Sequence, residues 1–104
     1  MKDLKTGWLS PIGDLFECDT YTHCRTAREI VYKFGYAWGE YKSADNCLMA
    51  KGWAYIGISE FDYEWRIGWG KFLTEYQKNF LKSYFEDTQR PVNIIAKARW
   101  ESEQ

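Results

Sequence analysis

The chain has 104 residues, with 14 Lys and Arg against 15 Asp and Glu, for a formal net charge of −1. That length fits one domain spanning residues 1–104, and 45% hydrophobic with 28% charged residues excludes a disordered polar chain. A net charge near zero argues against a generic nucleic-acid binder, and only two prolines and eight glycines exclude a low-complexity chain.

Gly7-Trp8-Leu9-Ser10 and Leu15-Phe16-Glu17-Cys18 are short extended runs flanking the turn signal Pro11-Ile12-Gly13-Asp14. They predict an N-terminal β-hairpin. Asp19 or Thr20 can cap a following helix over about 21–34, with Cys24, Ala27, Val31 and Phe34 at helical spacing and Gly35 suited to end it. Residues 36–42 form an aromatic connector. Ser43 can cap a shorter helix over 44–51, which Gly52 stops, with Ala44, Cys47 and Leu48 on one side.

Trp53 to Ser59 is apolar and β-prone, and Phe61 to Gly70 alternates. Phe61, Tyr63, Trp65, Ile67 and Trp69 fall on one face, and Asp62, Glu64 and Arg66 on the other. A second hairpin turning around Glu60 is expected. Thr74 and Gln77 have the spacing of a capping box for a helix over 74–86, whose apolar stripe includes Phe80, Leu81 and Tyr84. Pro91 can open a last helix near 91–100, although a strand at Val92–Ile95 fits almost as well. The order β-β-α-α-β-β-α-(α) defines a small α+β domain, two hairpins forming an antiparallel sheet against three to four helices, with the helices expected on one face.

Aromatic residues are unusually abundant: six Trp, eight Tyr and six Phe. Core packing accounts for most of them. Any outward remainder would form a contact surface, because Trp and Tyr combine large area with a polar handle.

No residue pattern names a reaction. Cys18, His23, Cys24 and Cys47 are ligand types, but five residues separate Cys18 from Cys24 and no second close pair exists. Adjacent His23 and Cys24 should diverge by about 100° on a helix, so neither a metal site nor a Cys–His nucleophile is expected, and no cofactor. Cys24 and Cys47 are read as buried, unreactive thiols. Three cysteines, an opening without an apolar run and no stretch near the roughly 20 apolar residues of a membrane span suggest a soluble, cytoplasmic protein with reduced thiols.

Charge offers two candidate contact regions. Residues 36–65 carry two basic and five acidic groups, and residues 71–100 carry six basic and three acidic. The preferred partner-binding surface is the strand face of Glu60, Asp62 and Glu64 with Arg66. The alternative is a basic face of Lys78, Lys82, Arg90, Lys97 and Arg99, suited to RNA or an acidic protein surface.

Gly7-Trp8-Leu9-Ser10-Pro11-x-Gly13, then Phe16-Glu17-Cys18, Tyr21-x-His23 and a helix bearing Ala27, resembles small proteins of phages and mobile elements. Lys51-Gly52-Trp53 and Leu73-Thr74-x-x-Gln77-x-x-Phe80-Leu81 extend the resemblance over most of residues 7–85. It implies a non-enzymatic accessory protein that binds a host protein, with inhibitors of CRISPR nucleases as one such class.

Overall fold

The computed structural model describes residues 3–104. Its elements are β1 (Gly7–Leu9), β2 (Leu15–Glu17), α1 (His23–Phe34), a 3-10 turn at Trp38–Glu40, α2 (Ala44–Ala50), β3 (Ala54–Ile58), β4 (Trp65–Trp69), α3 (Glu75–Phe85) and α4 (Ile94–Ser102). The class is α+β, with one four-stranded antiparallel sheet in the order β2-β1-β3-β4. The two hairpins join through β1 and β3, where Trp8 pairs with Tyr55 and Leu9 with Ala54.

Successive strand residues point to opposite faces, and the core divides accordingly. Trp8 joins Ala27, Ile30 and Val31 of α1, Ala44, Cys47 and Leu48 of α2, and Trp53. Leu9, Ala54 and Ile56 join Trp65, Ile67 and Trp69 of β4, Leu81 and Tyr84 of α3, and Ala96 of α4. Helices therefore cover both faces of the sheet, which corrects the expectation of one. The near-continuous apolar run of β3 is the composition that a strand buried on two sides requires.

Several local signals hold. Ser43 accepts from the Asn46 amide at the start of α2, and Thr74 with Gln77 completes the capping box of α3. Gln77 is buried, and its side-chain amide also donates to the carbonyls of Gly52 (2.7 Å) and Leu9 (3.4 Å). The cap thus ties α3 to the sheet. Gly35 ends α1 with φ of 70°, a left-handed conformation that costs glycine little.

Four expectations change. The α1 N-cap is Thr22, because the Asp19 carboxylate accepts from the amides of Tyr21 and Thr22 in a turn before the helix. Cys24 is exposed, not buried, whereas Cys47 is buried. The alternation of Phe61 and Tyr63 with β4 is not structural, since the strand begins at Trp65 and both preceding aromatics lie outside the core. Residues 91–100 combine both readings: Val92 makes an isolated parallel bridge to Trp65, and a helix follows from Ile94. In that helix Ile94, Ile95 and Ala98 are exposed and only Ala96 is buried.

Candidate functional site

Glu60, Asp62 and Glu64 do not share a strand face. They belong to the β3–β4 connection over 59–64, closed by the Ser59 amide on the Glu64 carbonyl (2.9 Å) and the Tyr63 amide on the Ser59 carbonyl (3.0 Å). Arg66 reaches back from β4 to Asp62 at 2.6 Å and lies 3.7 Å from Glu64. Asp62 lies below the ordinary carboxylate range, held there chiefly by the Ser59 hydroxyl and further by the Glu64 amide and Arg66. The four residues proposed from sequence are therefore neighbours, but as an internally paired loop rather than a free acidic row.

What the loop presents is aromatic. Phe61 is 100% exposed at its turn and Tyr63 is 65% exposed. Tyr63 has φ of 55°, left-handed and uncommon for a bulky side chain. The Arg90 guanidinium lies over both the Tyr63 ring (5.9 Å) and the buried Trp65 ring (5.7 Å). Exposed Tyr21 hydrogen-bonds Glu60, and that carboxylate pushes its phenol pKa up. The Thr20 hydroxyl bonds the Ile58 amide and carbonyl, fastening the segment before α1 to the end of β3. Tyr21, Phe61 and Tyr63 thus form an outward aromatic group with carboxylates among them. Sequence reasoning placed Phe61 and Tyr63 in the core and left Tyr21 without a contact role.

The alternative basic residues disperse. Lys78, Lys82 and Lys97 line one groove between α3 and α4, together with Glu75, Glu86 and Glu101. Lys78 pairs with Glu75 at 3.7 Å. Arg90 serves the aromatic loop, and Arg99 lies over the Trp69 ring at 4.7 Å while donating to the Trp69 and Lys71 carbonyls. These five residues make no single basic face.

A second cluster joins α1 to α2. His23 Nδ1 lies 2.6 Å from Asp45 Oδ2. Cys24 Sγ lies 3.5 Å from His23 Nδ1, 3.8 Å from His23 Nε2 and 3.8 Å from Asp45 Oδ2. The side chains of His23 and Cys24 converge on Asp45, contrary to the expectation that helical spacing would part them. Asp45 lies in the first turn of α2, and packing of α1 on α2 against the shared core makes the meeting. The Tyr55 ring packs 5.0 Å from the imidazole. Tyr55 occupies the space that Gly57 leaves by lacking a side chain, where a Cβ would sit 2.4 Å from the phenol oxygen.

Burial pushes the Tyr55 phenol up to about 12, and burial followed by the Asp45 charge raises the Cys24 thiol. Asp45 Oδ1 and the Tyr55 hydroxyl are buried without a hydrogen-bond partner, the Thr20 hydroxyl beside Tyr55 being committed to Ile58. The residue types were visible in the sequence, but only the docking of two helices brings Asp45 to the pair.

Among the described residues no helix is long and apolar enough to cross a membrane. No protein-family model, curated protein or solved structure matches this chain.

Proposed function

We propose that this chain is a non-enzymatic binding protein and that the 59–64 loop, with Tyr21 beside it, is its contact surface. The observation that carries this reading is the full exposure of Phe61 on a loop closed by its own hydrogen bonds and ion pairs. A large aromatic in water contributes nothing to the core, and a preordered loop loses little freedom on docking. The left-handed Tyr63 supports it, since such strain collects at functional positions. Glu60, outside the Arg66 pairs with Asp62 and Glu64, sets a carboxylate beside the aromatic anchor, which suits a protein pocket apolar at its base with a basic group at its rim.

The resemblance to small phage and mobile-element proteins supports a host protein as the partner, in the cytoplasm of a bacterial cell. A CRISPR nuclease or another nucleic-acid-handling defence protein is one such host protein. Affinity capture from a bacterial lysate with four forms of the chain tests this. A protein retained by the wild type and by Phe72→Ser, at a second exposed aromatic outside the loop, and lost with Phe61→Ser, is the expected result. Equal capture by Phe61→Ser, with loss on reversing Lys78 and Lys82, would move the interface to the α3–α4 groove and overturn the reading.

A further inference from the structure

We infer that His23, Cys24 and Asp45 form a binding site for a zinc-type divalent ion, supplying three protein donors and leaving one coordination position for water or an exogenous ligand. This rests on a different part of the molecule from the aromatic loop.

The donor distances fit an ion. Zinc bonds of about 2.3 Å to sulfur and about 2.0–2.2 Å to nitrogen and oxygen, at tetrahedral angles, put the donor atoms about 3.4–3.6 Å apart. The thiol is already 3.5 Å from His23 Nδ1 and 3.8 Å from Asp45 Oδ2. Only the His23–Asp45 contact, 2.6 Å as a hydrogen bond, has to open, by about 0.8 Å for the geometry of zinc. All three donors lie within 4.8 Å of one another.

An unused carboxylate oxygen also points to a cation. Asp45 Oδ1 is buried with no hydrogen-bond partner, in a side chain only 16% exposed. A buried carboxylate oxygen without a donor is costly, and a cation bound by the same carboxylate would compensate it.

Donor chemistry selects the ion. A thiolate, an imidazole and a carboxylate together suit a borderline-soft ion such as zinc and are a poor set for calcium or magnesium, which take oxygen donors. The ligands are also held from behind. The His23 carbonyl accepts from the Trp8 indole at 3.0 Å, the Tyr55 ring braces the imidazole, and Ser43 caps the helix that carries Asp45. Such outer contacts fix ligand orientation. Cys24 is exposed, so an ion can enter from solvent.

A catalytic Cys–His–Asp arrangement fits less well. In a triad the acid and the nucleophile address different imidazole nitrogens. Here Asp45 holds Nδ1, and the thiol is closer to that same nitrogen than to Nε2. The thiol is nearly equidistant from the two nitrogens and so does not address Nε2 as a triad nucleophile would, whereas three donor types within 4.8 Å of one another suit an ion.

Cobalt titration of the full chain, stripped with chelator and kept reduced, tests the site. Tetrahedral cobalt with a thiolate ligand gives a sulfur-to-metal charge-transfer band, and here it should saturate at one equivalent and be displaced by zinc. Cys24→Ser should abolish the band, and Asp45→Asn should weaken cobalt binding by at least about tenfold, since even outer-shell changes cost that much. Cys18→Ser, Cys47→Ser and Phe61→Ser should retain it, with the apo far-ultraviolet spectrum confirming that each variant is folded. Absence of a charge-transfer band in the wild type, or its survival in Cys24→Ser, would overturn the proposal. Because Phe61→Ser keeps the band, failure of the contact-surface reading and failure of the metal site are told apart.

Discussion

Arg66 donates to Asp62 at 2.6 Å, closing the loop that holds Phe61 away from the core. The contact links an edge strand to its preceding turn and consumes the charge that the sequence offered as a free acidic face.

The pairing has a pH dependence of defined sign. Asp62 titrates lower in the folded chain than in the unfolded one. Its contribution to loop order is therefore complete above the ordinary carboxylate pKa and disappears as pH falls through the lower folded value. NMR titration of the Asp62 carboxyl and the Glu64 amide should give a common midpoint below the ordinary carboxylate value. Arg66→Ala should move it upward. A wild-type midpoint at or above the ordinary value would contradict the observed pairing.

Trp65 and Phe61 should separate sharply in stability. Trp65 is 1% exposed, packs edge-on against Tyr84 at 4.9 Å and donates its indole N–H to Asp87 at 2.9 Å. Trp65→Ala should cost about 3–5 kcal/mol in denaturant unfolding. Phe61→Ala should stay within about 0.5 kcal/mol, as surface changes do. Comparable losses at the two positions would mean that the loop aromatic is packed.

How far the fold was legible follows from how local each signal is. The Thr74–Gln77 box and the Ser43 cap depend on partners three residues apart, so spacing alone identifies them. The alternation over Trp65, Ile67 and Trp69 was equally direct. Phe61 and Tyr63 continue that alternation only in sequence, because hydrogen bonds between Ser59 and both Tyr63 and Glu64 turn the chain before the strand begins. Coverage of both sheet faces was signalled by the unbroken apolar run of β3, but period-two reasoning about β4 alone pointed to one face. The meeting of His23 and Cys24 with Asp45, about twenty residues away, depends on how α1 docks on α2, and no spacing rule encodes that.

Gln77 offers a test of the tie between α3 and the sheet. Gln77→Leu keeps approximate volume but leaves the Thr74 amide and the Gly52 carbonyl without this partner. The expected loss is about 2–4 kcal/mol, from one to two orphaned buried groups. A loss under about 1 kcal/mol would show that the amide serves only the helix end.

Thiol labelling should follow burial. Cys24 should react in the native chain, and Cys47 only after unfolding, because burial raises its pKa and closes access. Zinc should slow labelling of Cys24 and leave Cys47 unchanged. Native labelling of Cys47 at the rate of Cys24 would contradict the packing of α2.

The affinity of the captured partner for the wild type and for Phe61→Ser, measured by calorimetry at low and moderate salt, tests the contact surface. Loss of a hot-spot aromatic costs roughly 2 kcal/mol, so the variant should bind about thirtyfold more weakly at both salt concentrations. Unchanged affinity in Phe61→Ser, with wild-type binding that falls steeply as salt rises, would instead identify charge-mediated recognition away from the loop.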